Sequence, residues 1–199
     1  MPLNVAIWAS GNGTNAENIF NFFSERKELA NIAVLMCNKK DAFVLQRANK
    51  FNVPTFVFSY NDLNNSTVVD EALRQYKIDF IVLSGFMLKV PERITSEYNN
   101  RIVNIHPALL PKFGGKGMYG DHVHQAVIDA HETESGITIH YANEHYDSGA
   151  VIFQAKCPVF SNDTADSLAQ RIHSLEYAHY PNIIESVLHK TSPKYQINN

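Results

Sequence analysis

The chain has 199 residues, 45% of them hydrophobic and 19% charged, with a formal net charge of −3. That balance suits one globular domain and argues against a basic nucleic-acid-binding face. No apolar run reaches the length of a membrane span, and Cys37 and Cys157 are isolated thiols without a metal-binding spacing.

The amino-terminal Met-Pro-Leu-Asn-Val-Ala-Ile-Trp leads directly into a strand. It has neither the basic start nor the cleavage site of a secretory leader, which points to the cytoplasm. Residues 3–9 read as a buried first strand. Ser10-Gly-Asn-Gly-Thr-Asn15 follows, and apolar residues at helical spacing then run through Ile19, Phe22, Phe23 and Leu29. Strand, glycine turn and helix start together make an anion cradle, because the first N–H groups of a helix face outward. Thr14 or Asn15 would cap that helix or touch the anion. There is no Gly-Lys-Ser/Thr ending, so this is not a P-loop. The dinucleotide fingerprint also fails, since Ala16 stands in place of the third glycine and no acidic residue follows the second strand. A plain tight turn is the alternative.

Residues 31–37 read as strand two, and Asp41 is placed as the cap of a helix to about Phe51. Residues 53–58 form strand three, at an edge because Pro54 cannot donate to a ladder. Residues 61–65 read as a polar loop, followed by a helix to about Tyr76. Residues 78–84 have the continuous apolar character of a central parallel strand. The loop after it is unusually apolar, with Phe86, Met87, Leu88 and Val90. It either packs beneath the sheet end or makes a wall for a flat aromatic ligand. Pro91 opens a short helix.

Arg101 to Pro111 is strand five and its exit. Ile102, Val103 and Ile105 are β-branched, and Pro107 ends the strand. Asn104 and His106 lie two apart and share one face. Ligands of open α/β sheets bind at such carboxyl ends. An amide donor beside a titratable ring can hold the charge that develops on a carbonyl oxygen under attack by an amine. A nearby carboxylate would raise the histidine's pKa from about 6.5 and keep it charged near neutrality. Asp121, Glu144 and Asp147 are candidates, with Asp147 favoured by its Ser-Gly turn. A structural histidine is the alternative. No Gly-Xaa-Ser-Xaa-Gly elbow supports a serine hydrolase. His122 and His124, at i and i+2, cannot share a helix face as a metal pair.

Gly114 to Gly120 reads as an irregular, mobile loop, and a helix follows from about His122 to His131. Residues 136–142 alternate as a half-exposed strand, paired as a hairpin with a last strand at 150–160. Asp163 or Thr164 caps a long helix to Leu188, and 191–199 is a polar tail. Seven strands with helices between the first five predict a three-layer, Rossmann-like α/β fold. Its sheet is mostly parallel, with antiparallel pairing in the carboxyl-terminal half.

Asn104-Ile-His-Pro-Ala-Leu-Leu-Pro111 resembles the Asn-Xaa-His-Pro-Ser-Leu-Leu-Pro signature of the 10-formyltetrahydrofolate-dependent formyltransferases. Tyr146-Asp147-Ser-Gly149 is similar to that family's Asp-Xaa-Gly loop, and Ser10 to Asn15 and Gly85-Phe-Met87 also fit it in order and spacing. The resemblance covers residues 3 to about 189. It implies one formyltransferase domain over 1–190, with a phosphate-binding half to about 100 and a folate and catalytic half beyond. It implies transfer of a formyl group from 10-formyltetrahydrofolate, a co-substrate used without a metal, to the amine of 5-phosphoribosylglycinamide in de novo purine biosynthesis. No nucleic-acid or membrane partner is implied, and the chain would be a monomer or homodimer.

The same resemblance makes Asn104 the oxyanion holder, His106 the catalytic histidine, and Asp147 the carboxylate that raises its pKa and relays protons. Gly11, Asn12, Gly13, Thr14, Asn15 and Ala16 match the phosphate loop. Glu176 matches the ribose contact, and His173 stands where some members hold the phosphate with a glutamine. Met87, Leu88, Lys89 and Val90 match the folate pocket, together with Asn104, Asn143, Glu144, His145, Tyr146 and Asp147. Residues 62–67 lack the arginine that often contacts folate there, and Lys112 or Lys116 would offer charge to a phosphate or glutamate tail. Rival readings are a formyltetrahydrofolate hydrolase or another formyltransferase on the same scaffold. A non-catalytic nucleotide-binding module is the rival from another class.

Overall fold

Alternate side chains of the first strand serve two different cores. In the computed structural model, which describes residues 1–191, β1 (Leu3–Ala9) sends Val5, Ile7 and Ala9 to one side and Ala6 and Trp8 to the other. Both faces of the strand are therefore covered, as the continuous apolar run requires. The order continues α1 (Thr14–Ser24), β2 (Ala30–Cys37), α2 (Val44–Lys50), β3 (Thr55–Val57), α3 (Tyr60–Asn65), α4 (Val68–Gln75) and β4 (Phe80–Leu83). Then come α5 (Glu92–Glu97), β5 (Ile102–His106), α6 (Asp121–Asp129), β6 (Glu134–Tyr141), β7 (Val151–Pro158) and α7 (Ala165–Thr191).

The seven strands lie in the order β3-β2-β1-β4-β5-β6-β7. Neighbours from β3 through β5 pair parallel, while β5–β6 and β6–β7 pair antiparallel. The Rossmann-like fold read from the sequence is the one observed, with β3 at an edge and β4 inside. Strand order reverses between β1 and β4, and the crevice outside their carboxyl ends is the place such sheets offer to ligands.

Several local readings change. The apolar spacing through Leu29 overran α1, which ends at Ser24. Asp41 does not cap α2, whose N-cap is Phe43. Residues 61–65 are helix α3, not loop, because Ser59 and Asp62 make a reciprocal capping box. β6 is buried along nearly its whole length instead of half-exposed. Its polar members face a protein interior: Thr138 accepts from Leu110 N at 3.0 Å and donates to Ala108 O at 2.7 Å. The polar tail, beyond Thr191, lies outside the described residues.

The long α7 contains Pro181. A proline there leaves the carbonyl of Tyr177, four residues earlier, without its helical partner. Asn18 on α1 supplies one, its Nδ2 donating to Tyr177 O at 3.0 Å. Tyr180, fully buried on the same helix, donates its hydroxyl to Leu83 O at 2.7 Å and also reaches Val103 O at 3.2 Å. Those carbonyls immediately precede Ser84 and Asn104, so α7 holds the ends of β4 and β5 in place.

Candidate active site

A cavity of about 550 Å³ opens at the carboxyl ends of β1, β4 and β5. Its volume lies within the range of small-molecule sites. Gly13, Thr14 and Asn15 line one end with His173 and Glu176, and residues 83–90 line the wall after β4. Asn104, His106, Asn143, His145, Tyr146 and Asp147 complete it. Gly11, Asn12, Ala16 and Glu144 are not part of the wall: Ala16 is packed in the core and Asn12 and Glu144 are exposed. Of the two loop lysines, Lys116 lines the cavity, whereas Lys112 pairs with Glu132 at 2.7 Å.

The first loop is built for close approach. Gly13 is the N-cap of α1 with φ 76°, and a Cβ there would lie 2.2 Å from a methyl of Val44. No side chain caps the helix, so Thr14 and Asn15 are its first helical residues and its leading N–H groups have no side-chain cap. Arg47, on α2, braces the loop from outside. Its guanidinium donates to Asn12 O at 2.9 Å and Asn12 Oδ1 at 2.8 Å, and also pairs with Glu17. Glu176, 5% exposed, accepts from Asn15 Nδ2 at 2.8 Å and is 2.8 Å from His173 Nδ1. That contact, before the opposing effect of burial, raises the pKa of His173.

Ser10 joins this loop to the next. Its hydroxyl donates to Asn38 Oδ1 at 2.6 Å and accepts from Met87 N at 2.9 Å. In the apolar loop, Phe86 packs edge-on against Trp8, so it serves the core as well as the cavity, while Met87 is exposed.

At the centre, β5 and β6 are in register with Asn104 opposite His140 and His106 opposite Thr138. His106 is 3% exposed, and its Nε2 lies 2.8 Å from Phe113 O. A carbonyl only accepts, so Nε2 carries hydrogen. The other nitrogen, Nδ1, is the one that gains or loses a proton, and it faces Asp147 Oδ2 at 3.6 Å. Both residues that hold the ring sit in left-handed backbone, Phe113 at φ 55° and Asp147 at φ 51°. Such positions concentrate where surrounding structure imposes a site's geometry.

Asp147 is held from several sides. Its Oδ2 accepts from Gly115 N at 2.9 Å, and its Oδ1 lies 3.5 Å from Asn104 Nδ2 and 3.6 Å from His140 Nε2. His140, 2% exposed, was absent from the sequence-derived site. Its Nδ1 donates to Tyr141 O at 2.8 Å, which leaves Nε2 to accept from Asn104 Nδ2 at 3.1 Å. One amide hydrogen of Asn104 is thereby fixed, and the other points toward Asp147 and the cavity. The alternation of residues 136–142 was the available signal, but only the β5–β6 register puts His140 beside Asn104.

The electrostatics differ from expectation at one point. Burial pushes His106 below its usual pKa, and this outweighs the raising effect of Asp147 and the Phe113 carbonyl. For Asp147 burial acts upward, but the adjacent His140 and His106 rings and the Gly115 N–H together hold the carboxyl below its ordinary range. The structure thus presents a carboxylate beside a histidine whose pKa desolvation lowers. Among the described residues no cluster of His, Cys, Asp or Glu could hold a metal.

Comparison with known proteins bears on the whole of this arrangement. The sequence model of the formyl transferase family matches residues 3–184. Phosphoribosylglycinamide formyltransferase of Bacillus subtilis is 36% identical over 92% of this chain and 93% of its own length. The Escherichia coli protein of that name is 33% identical over 92% and 85%, respectively. The chain spans less than two thirds of the chloroplastic relatives, 64% for Arabidopsis thaliana and 60% for Vigna unguiculata. The crystal structure of phosphoribosylglycinamide formyltransferase from Anaplasma phagocytophilum superposes with a TM-score of 0.86 at 32% identity, covering 96% of this chain and 89% of that one. By sequence along nearly its whole length and by fold, the chain belongs to the formyl transferase family, with phosphoribosylglycinamide formyltransferases as its relatives.

Proposed function

We propose that this protein transfers the formyl group of 10-formyltetrahydrofolate to the amine of 5-phosphoribosylglycinamide, giving formylglycinamide ribonucleotide and tetrahydrofolate in purine biosynthesis. The observation that carries this reading is that Asn104, His106 and Asp147 line one cavity together with two further groups. An uncapped helix start stands in its wall with His173 and Glu176, and so does the apolar loop of residues 86–90, with Met87 exposed. The first suits a ribose phosphate and the second a flat ring system. The names of the relatives support it.

The chain's own groups meet the needs of the reaction. As the amine adds, negative charge grows on the formyl oxygen. The second N–H of Asn104, which in the free protein reaches Asp147 Oδ1 only at 3.5 Å, and the protonated Nδ1 of His106 hold that charge. Each such donor lowers the barrier by about 2.7–4 kcal/mol. Asp147, ionised and fixed by Gly115 and its neighbours, accepts the proton that the amine loses, directly or through water. That proton then passes to the leaving nitrogen as the C–N bond to the folate breaks. Charge on the oxyanion and on Asp147 favours the imidazolium against the desolvation that opposes it in the free protein.

Residues 1–190 we read as one formyltransferase domain. The protein is cytoplasmic on this reading, in keeping with the free thiols of Cys37 and Cys157. It acts as a monomer or homodimer. No helix among the described residues is long and apolar enough to cross a membrane.

The test is a formyl-transfer assay with both substrates, following folate absorbance. His106→Ala is expected to lower kcat by about 10²–10⁴-fold with a smaller effect on either KM. Folate turnover that does not require the glycinamide would identify a hydrolase instead. Binding without any turnover would identify a non-catalytic module.

A further inference from the structure

His124 lies in the cavity wall and has no part in the chemistry described so far. It is 2% exposed, and its Nδ1 is fully covered without a hydrogen-bond partner. A neutral imidazole carries one donor and one acceptor nitrogen, and leaving either unmet in the interior is costly. Buried polar groups of this kind call for an explanation, and a ligand is one. The feature is not isolated. Asn15 Oδ1 and Ser84 Oγ are also covered and unpartnered, and both residues line the same cavity.

The position of the ring narrows what it meets. His124 stands on α6, which packs against α7, the helix that carries His173 and Glu176, and all three residues line the same cavity as His106. His173 and Glu176 stand at the sugar-phosphate end of the cavity and His106 at the reacting end. His124 reaches the wall from α6, while His173 and Glu176 come from α7 and His106 from β5. An acceptor with its phosphate at one end and its amine at the other passes this ring between the ribose and the amine. The acceptor's hydroxyls and amide offer both donors and acceptors there.

We propose, resting on the function inferred above, that His124 is a further substrate-binding residue whose Nδ1 hydrogen-bonds the acceptor between its ribose and its reacting amine. Asn15 Oδ1 and Ser84 Oγ supply neighbouring polar contacts, so the acceptor completes the hydrogen bonding that the protein leaves open. The formyl donor, seated along residues 86–90, does not use this ring.

Two measurements test this. In the formyl-transfer assay, His124→Phe is expected to raise KM for 5-phosphoribosylglycinamide roughly tenfold, the loss of about one buried hydrogen bond. KM for 10-formyltetrahydrofolate should change less than about twofold, and His124→Asn should recover part of the loss. In the wild-type protein, saturation with 5-phosphoribosylglycinamide alone should displace the ¹⁵N resonance of His124 Nδ1. A folded His124→Phe with unchanged acceptor KM overturns the assignment, as does an unmoved Nδ1 resonance at saturation. If His124→Phe does not fold, the wild-type resonance decides alone. A wild-type protein that neither binds nor formylates the acceptor overturns the function itself, which separates the two failures.

Discussion

His106 shows how two fixed neighbours assign a task to each nitrogen of one ring. The Phe113 carbonyl fixes hydrogen on Nε2, so only Nδ1 is free to titrate, on the side of Asp147. Burial lowers the pKa and Asp147 works against it. An NMR titration of the free protein should therefore give His106 an apparent pKa below 6.5. In Asp147→Asn it should fall further, because the raising charge is gone while the desolvation remains. A His106 pKa above the ordinary value in the free wild type would contradict this account. His140 belongs to the same scale: by holding one hydrogen of Asn104 it orients the other.

At the scale of elements, the loop between β1 and α1 depends on a residue outside the cavity. Arg47 holds Asn12 by backbone and side chain, and Gly13 packs against Val44 at the head of the same helix. Arg47→Ala should therefore loosen the loop without removing any wall group. The expected result is a rise in the acceptor's KM of roughly tenfold, with donor KM nearly unchanged and partial rescue by Arg47→Lys. Equal changes in both KM values would mean a general loss of structure instead. On the far side of the sheet, α3 shows how a short element escapes pattern reading. Six residues contain too little apolar periodicity to register as a helix, and the Ser59–Asp62 capping box was the legible sign.

For the molecule as a whole, pH acts through histidines with opposite shifts. His106 and His124 are pushed down, first by burial. Each contributes stability that is complete above its unfolded pKa near 6.5 and lost as pH falls through the lowered folded value. His173 is pushed up, first by its bond to Glu176, and its contribution is present below about 6.5 and lost as pH rises through the raised value. Its side chain is 51% exposed, so solvent screens that gain. Tm should thus peak near neutrality and fall more steeply on the acid side. Thermal melts by circular dichroism between pH 8 and pH 5 check this, and a Tm that rises from pH 6.5 to 5 would refute it.

Much of this was legible in the chain. Continuous apolar runs in β1 and β4, Pro54 at an edge and the glycine turn after β1 led to a parallel sheet with a crevice at its carboxyl end. The two-residue spacing of Asn104 and His106, with the motifs around them, named a reaction class. These are local properties, set by side-chain period and backbone restriction within a few residues. Other features required chain segments far apart in sequence to meet. His140 became part of the site through antiparallel pairing with β5, and Arg47 through the docking of α2 on the first loop. His124 acquired its place when α6 packed against α7, and the pKa of His106 fell because the folded chain removed water from around it. Hydrogen-bond partners and desolvation depend on distances across the fold, and those the tertiary structure alone decided.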